Sequence, residues 1–242
     1  MSIDGQRHIV AISGGSFEPD GRFGLRPSAL LRYALDLTGA DRPRVCFLTT
    51  AVGDAPDAVS RFYAGFTRLD VEVTHLALFP MPNHPDPRAH LLAQDLVYVS
   101  GGSVANLLAL WRLHGLDAVF REAWEAGVVL TGQSAGSICW HAGGTTDSFG
   151  PDLCPVANAL AFVPYANGVH YDAEPQRRPV LHRLIADGTL PAAYAADNGV
   201  ALHYVGTDLV QAVSTGEGVA YWVEEDGTGS AREKLIEPRR LA

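Results

Sequence analysis

The sequence predicts a doubly wound α/β fold with a mainly parallel sheet and antiparallel strands towards the C-terminal end. Up to Thr131, short β-branched runs alternate with segments of helical periodicity, which is the pattern of βαβ units. The last third instead carries short strand-like runs separated by turn pairs such as Asn198-Gly199. With 242 residues, 47% of them hydrophobic, the chain is long enough for one sizeable core. We therefore expect a single domain over residues 1–242.

The individual elements follow from periodicity and from the residues that begin and end them. We predict parallel strands at 8–12, 44–49, 71–79, 96–100 and 128–131, and helices at 27–37, 56–69, from Ser103 onward and at 117–126. In the helix after Ser103, positions 104, 107, 108 and 111 are apolar, the spacing of one buried face. Ser103 suits its N-cap and Gly115 its C-cap. Antiparallel strands are predicted at 192–196, 200–205, 209–213 and 219–223, added to the sheet edge.

Composition excludes several classes of function. The net charge of -9 and the pI near 5.4 give no basic surface for phosphates, so nucleic acid is not an expected partner. No apolar run approaches the roughly 18 residues that span a bilayer, and the N-terminus is polar, so neither secretion nor a membrane is indicated. Cys46, Cys139 and Cys154 form an odd set without a C-x-x-C pair. That set argues against disulfides and zinc and favours a reducing, cytoplasmic location.

The run Gly132-Gln133-Ser134-Ala135-Gly136 carries the main chemical signal. It follows a buried strand and precedes a helical stretch, the context in which G-x-S-x-G forms a nucleophile elbow. Small residues at both ends let the backbone turn sharply enough to present the serine hydroxyl. The alternative is that Ser134 only caps the following helix.

An oxyanion hole is expected beside this serine. The Ala135 N–H is one candidate donor, and Gly101 and Gly102, at the carboxyl end of another parallel strand, supply the others. The alternative for Gly101-Gly102 is a turn that only begins the next helix.

A serine hydroxyl needs a base, and the nine histidines supply the candidates. His170 is preferred because it lies in a turn-rich segment after the nucleophile. His141 is seven residues along from Ser134, about 10 Å by helical rise, whereas His182 and His203 lie within a predicted helix and strand. Asp197 is the expected orienting acid and Asp172 its competitor; Asp197-Asn198-Gly199 also suits an ordinary hairpin turn.

The order serine, histidine, acid differs from the serine, acid, histidine order of α/β-hydrolases. Four segments together resemble the peptidase E family, which also contains the cyanophycinases. They are Tyr98-Val99-Ser100-Gly101-Gly102, the Ser134 pentapeptide, Val169-His170-Tyr171 and residues 197–202. The resemblance spans roughly residues 9–213.

This resemblance implies a class I glutamine-amidotransferase-like, flavodoxin-like fold and an acyl-enzyme on Ser134, with His170 as base and Asp197 as acid. It implies no metal or organic cofactor, a small peptide as substrate and a homodimer. In aspartyl dipeptidases of the family an arginine downstream of the histidine binds the N-terminal aspartate, a role to which Arg177 or Arg178 corresponds. Gln133 and Ser137 differ from the residues of those dipeptidases, which favours a different or broader substrate range.

Three functions follow from these residues. The first is a serine peptidase of short peptides, with N-terminal aspartate as one expected preference. The second is a related amide or ester hydrolase of cyanophycinase type. The third is a non-catalytic binding module that keeps the same fold, in which Ser134 has no nucleophilic role.

Overall fold

The computed structural model describes residues 6–22 and 24–241. Their strands are β1 His8–Ile12, β2 Phe17–Asp20, β3 Gly24–Pro27, β4 Arg44–Leu48, β5 Glu72–His75, β6 Leu96–Val99, β7 Val129–Gln133, β8 Gly143–Thr146, β9 Cys154–Val156, β10 Ala166–Gly168, β11 Ala193–Ala196, β12 Val200–Val205, β13 Asp208–Ser214, β14 Ala220–Glu225, β15 Ala231–Ile236 and β16 Arg239–Arg240. The helices are α1 Ala29–Asp36, α2 Pro56–Phe66, α3 Pro87–Leu92, α4 Val104–Leu113, α5 Leu116–Glu125, α6 Ala135–Ile138 and α7 Arg177–Ala186, with a 3-10 turn at Thr50–Val52. Within these ranges no helix combines the length and apolar character needed to cross a bilayer.

The main sheet has eight strands in the order β16-β13-β12-β1-β7-β6-β4-β5. Strands β1, β7, β6, β4 and β5 pair in parallel, whereas β12 and β13 join the β1 side antiparallel. The predicted fold class, a doubly wound, mainly parallel sheet with antiparallel C-terminal strands, is confirmed. The strand predictions for 8–12 and 200–205 match the observed bounds.

Both faces of this sheet are covered by helices, which is why its strands are apolar on both sides. In β1, Val10 and Ile12 pack in a core with Leu30 of α1 and Phe66 of α2. Ile9 and Ala11 point to the opposite face and belong to the core that includes α4 and α5. The alternation of side chains along a strand thus divides the apolar residues between two layers.

The antiparallel strands do not all extend the main sheet, and this part of the prediction was wrong. Strands β11 and β14 belong to a second, six-stranded sheet in the order β15-β14-β11-β10-β8-β9. Strand β11 pairs in parallel with β10, Ala166–Gly168, which carries no β-branched residue. A strand of Ala, Asn and Gly lacks the composition by which strands are recognised, so the sheet around it was missed.

Two local predictions also differ from the structure. The predicted strand at 71–79 is limited to Glu72–His75 and gives way to an irregular connection rich in proline. No element was predicted between strand 8–12 and the helix at 27–37, but the structure has the β2–β3 hairpin there, whose strands pair with each other in a separate two-stranded sheet. This hairpin packs on α2 and lies beside the candidate site.

Candidate active site

The site lies where β1, β7 and β6, three adjacent parallel strands, reach their carboxyl ends. Ser134 follows β7 directly, Gly101 and Gly102 follow β6, and Ser13 and Gly14 follow β1. Carboxyl ends of neighbouring parallel strands share one edge, so residues far apart in sequence meet there. The strand-to-turn positions of the sequence motifs therefore converge on one place.

The backbone at Ser134 has the strained geometry of a nucleophile elbow. Ser134 has φ 54° and ψ -112°, a conformation that serine rarely adopts, and its N–H donates to the Ile12 carbonyl at 3.1 Å. A Cβ at Gly136 would lie 2.2 Å from the Val99 carbonyl oxygen, so glycine allows the turn to pack on β6. The Ser134 side chain makes no capping hydrogen bond to α6, which argues against the helix-cap interpretation.

His170 is the histidine that the structure brings to Ser134. Its Nε2 lies 2.9 Å from Ser134 Oγ. His170 itself has φ 53°, and its N–H donates to Ser13 Oγ at 2.7 Å, while the Ser13 hydroxyl donates to the Ala196 carbonyl. The end of β1 therefore holds the histidine loop over the elbow.

The alternative histidines lie elsewhere in the fold. His141 is fully buried between the Ser137 carbonyl and the Tyr204 hydroxyl, and burial lowers its pKa to about 4. His182 contacts the Tyr171 hydroxyl and Glu233. His203 contacts His8 and Tyr33.

The partner of His170 on its far side is Asn198, which sequence reasoning did not single out. His170 Nδ1 lies 2.7 Å from Asn198 Oδ1. An amide oxygen only accepts, so Nδ1 carries the proton and Nε2 is left with its lone pair facing Ser134. That tautomer is the one a general base requires. The available signal was the position of Asn198, one residue after the expected acid.

The two expected acids flank this contact without touching the imidazole. Asp172 Oδ1 accepts the backbone N–H of Asn198 at 2.8 Å. Asp197 Oδ2 accepts the Val219 N–H at 3.0 Å, and its buried Oδ1 has no hydrogen-bond partner among residues 6–22 and 24–241. Burial raises the pKa of the Asp197 carboxyl, with the Val219 bond acting in the opposite direction. In this geometry neither carboxylate orients His170 directly.

Of the residues expected to donate to an oxyanion, Gly101 and Gly102 line the same cleft as Ser134, and Ala135 follows it in the chain. Gly101 is close enough that a Cβ there would lie 3.4 Å from Ser134 Cβ. Gly102 has φ 134°, which favours glycine, and the next residue, Ser103, donates its N–H to the Ala51 carbonyl at 2.8 Å. Within the described ranges, the N–H groups of Gly101, Gly102 and Ala135 donate to no other residue. They are available to an oxygen atom bound at Ser134.

A cleft of about 490 Å³ opens beside Ser134 and His170, the two residues of the proposed catalytic dyad. We define the cleft by its lining residues, which are Phe17, Leu25, Val52, Ala58, Arg61, Phe62, Ser100, Gly101, Gly102, Gln133, Ser134 and His170. The β2–β3 hairpin and α2 thus form its outer wall.

The two arginines expected to bind substrate do not line the cleft. Arg177 is buried, with Nε on Glu174 and a terminal nitrogen on the Thr145 carbonyl. The Arg178 guanidinium lies over the Tyr171 and Tyr221 rings, 4.7 Å from each ring centroid. Among the described residues no cluster of three His, Cys, Asp or Glu side chains is arranged to hold a metal ion.

Comparison with known proteins identifies the family of this chain. The model described as Peptidase family S51 matches residues 9–212. The Bacillus subtilis protein named "Uncharacterized peptidase YgaJ" is 42% identical over 214 residues, 88% of this chain and 89% of that protein. A Shewanella denitrificans protein named "Peptidase E" is 27% identical over 172 residues, 67% of this chain and 70% of that protein.

Solved structures share the fold at low sequence identity. A peptidase from an acI-B1 Actinobacterium superposes with a TM-score of 0.65 at 17% identity, covering 96% of this chain and 97% of that one. A Listeria monocytogenes structure gives a TM-score of 0.60 at 16% identity, covering 96% and 100%. With a family model over most of the chain and a relative at 42% identity, this chain belongs to peptidase family S51 and is a serine-type peptidase.

Proposed function

We propose that this peptidase hydrolyses short peptides through an acyl-enzyme on Ser134, with His170 as general base and then general acid. The observation that carries the proposal is the 2.9 Å contact between Ser134 Oγ and His170 Nε2 at a strained elbow. His170 takes the hydroxyl proton as Oγ attacks the peptide carbonyl, and returns it to the leaving amine. Water then releases the acyl group by the same route.

In this proposal Asn198, rather than Asp197, orients His170. Its Oδ1 accepts the Nδ1 proton, and Asp172 holds Asn198 in place through the backbone N–H. The N–H groups of Ala135 and Gly102, with Gly101 beside them, stabilise the oxyanion of the tetrahedral intermediate. N-terminal aspartate is one candidate specificity, although Arg177 and Arg178 are engaged outside the cleft.

We also propose that the protein acts in the cytoplasm and as a homodimer. The free thiols of Cys46 and Cys139 are buried, and that of Cys154 is half-buried, which supports a reducing, cytoplasmic compartment. The homodimer implied by the family resemblance is tested by the molar mass in solution, measured by light scattering.

A digest of a short-peptide library tests the proposed chemistry. Ser134→Ala should lower turnover by about 10⁴-fold or more, because no other group replaces the nucleophile. Ser60→Ala is the matched control, since Ser60 lies exposed on α2, where its hydroxyl donates to the Pro56 carbonyl. Unchanged turnover in Ser134→Ala, with an unchanged thermal midpoint, would show that another residue carries the reaction.

A further inference from the structure

The polar side chains that line the cleft include a cation and hydrogen-bond donors but no carboxylate. Its lining includes Arg61, Gln133 and His170 but no Asp or Glu among the described residues. The remaining surface is largely apolar and comes from Phe17, Leu25 and Phe62 with smaller neighbours. Such a surface suits an apolar peptide segment and cannot pair a cationic side chain.

The Gln133 side chain is held in one orientation by a buried chain of hydrogen bonds. Its Oε1 accepts the Ser16 N–H at 3.1 Å and also the Ser16 hydroxyl. The Ser16 oxygen lies 2.7 Å from the buried Tyr98 hydroxyl, which is left as donor to Ser16. Since a backbone N–H can only donate, the amide oxygen faces Ser16 and Nε2 faces the cleft beside Gly101. Two amide protons are thus presented to a ligand.

Arg61 adds a full positive charge to the same cleft. It lies exposed on α2, one turn from Ala58 and next to Phe62. Its guanidinium makes no hydrogen bond or ion pair with residues 6–22 or 24–241, whereas Arg68, just beyond the end of α2, is paired with Asp20. A guanidinium left without a carboxylate at the rim of an apolar cleft is suited to bind one from a ligand.

We propose that Arg61 and Gln133 form a recognition site for a carboxylate carried by the peptide substrate. This inference rests on the proposed function, because it places the peptide in the cleft beside Ser134. The carboxylate comes either from an acidic side chain or from the C-terminus of a short peptide. Both sources present the same planar anion to the guanidinium and the amide, and the site disfavours substrates with arginine or lysine at this position.

Binding to the Ser134→Ala protein tests the site without requiring catalysis. Four dipeptides serve as probes: Asp-Leu and Asn-Leu, each with a free or an amidated C-terminus. Loss of the recognised carboxylate should weaken binding about tenfold, the scale of one charge-assisted contact at a solvent-exposed site. Comparison of the Asp and Asn pair identifies a side-chain source, and comparison of the acid and amide pair a C-terminal source.

Variants then assign the effect to the two residues. Arg61→Gln should abolish the difference between matched probes, Arg61→Lys should keep part of it, and Gln133→Glu should reverse it by turning an anion towards the cleft. Arg32→Gln is the control, since Arg32 is exposed on α1 outside the cleft. The inference is overturned if all four probes bind equally, if none of the four binds, or if the discrimination between matched probes survives in Arg61→Gln. Fluorophosphonate labelling of each variant with Ser134 intact reports separately on the proposed nucleophile.

Discussion

The contact between His170 Nδ1 and Asn198 Oδ1 gives the proposed dyad a neutral orienting group. An amide oxygen selects the tautomer and aims the ring as a carboxylate does, but it carries no charge to stabilise the imidazolium. Asp172, bonded to the backbone of Asn198, is the nearest carboxylate in this chain of contacts. We infer that orientation is the main contribution of the third residue in this protein.

Variants of the two adjacent residues separate Asn198 from Asp197. Asn198→Ala should lower kcat by about 10–100-fold, because the imidazole loses the acceptor that fixes its tautomer. Asp197→Asn should leave kcat close to that of the parent, since the introduced amide oxygen still accepts the Val219 N–H. Steady-state kinetics on one peptide substrate checks both. A large loss in Asp197→Asn with a small loss in Asn198→Ala would return the role to Asp197.

The same Asp197→Asn change should remove a pH-dependent contribution of Asp197 to the stability of the parent. Burial raises the pKa of Asp197 in the folded chain, so the protonated form is favoured and ionisation costs folded-state stability. The cost is absent below the ordinary carboxyl pKa of about 4 and is complete above the raised value. The melting temperature of the variant should therefore exceed that of the parent at neutral pH, with a difference that shrinks towards pH 4.

At the scale of elements, the strand ends that form the site could be predicted from the sequence. The outer wall of the cleft, formed by the β2–β3 hairpin and α2, could not. The elbow, the Gly101-Gly102 turn and His170 follow from local motifs and the rule that parallel strands share an edge. The β2–β3 hairpin pairs only with itself and packs Phe17 against Phe62, Phe66 and Tyr98. Because those contacts join residues far apart in the sequence, no local periodicity predicts that Phe17, Leu25 and Arg61 line one cleft.

The turn after β1 sets the space available to the dyad. A Cβ at Gly14 would lie 2.3 Å from Asn198 Oδ1 and 3.2 Å from His170 Cε1. Because Asn198 is exposed, its side chain can swing away, so Gly14→Ala should keep the fold and displace the acceptor of His170. We expect kcat to fall about tenfold or more with an unfolding free energy within about 1 kcal/mol of the parent.

Combining the two changes gives the control. If Gly14→Ala acts through Asn198, it should have little further effect in an Asn198→Ala background. Multiplicative losses in the double variant would indicate that Gly14 acts on the site by another route.

At the scale of the whole molecule, the sequence predicted the layer structure but not the number of sheets. The alternation of short apolar strand runs, such as β1, with helical segments, such as the amphipathic α4, was sufficient to predict a doubly wound sheet. The second sheet depends on β8, Gly143–Thr146, and β10, Ala166–Gly168, in which glycine, alanine and asparagine leave too little strand propensity for a strand to be predicted. Asn198 was overlooked for a related reason, since Asp-Asn-Gly is ordinary turn chemistry until His170 is placed beside it.

Stability of the main sheet in acid should depend on the contact between Arg44 and Asp95. The Asp95 carboxylate accepts the Arg44 backbone N–H at 2.8 Å and two guanidinium N–H groups at 3.1 and 2.8 Å, which links β4 to the turn before β6. Burial acts to raise the pKa of Asp95, but these hydrogen bonds outweigh it and hold the pKa well below its usual range.

A carboxyl whose folded pKa is depressed stabilises the fold above its unfolded pKa, and the contribution disappears as the pH falls through the folded value. Asp95→Asn should therefore lower the melting temperature by about 2–4 °C at pH 7 and progressively less below about pH 4. Calorimetry across this range checks the prediction. A constant difference at all pH values would mean that packing, and not charge, accounts for the loss.

We have proposed that Ser134 is the nucleophile and that His170 activates it. The most direct measurement is the site of covalent labelling by a fluorophosphonate probe, mapped by mass spectrometry in the parent protein and in His170→Ala. We expect a single adduct on Ser134 in the parent and a large drop in labelling rate in His170→Ala. An adduct on another residue, or an unlabelled Ser134 in a preparation that hydrolyses peptides, would contradict it.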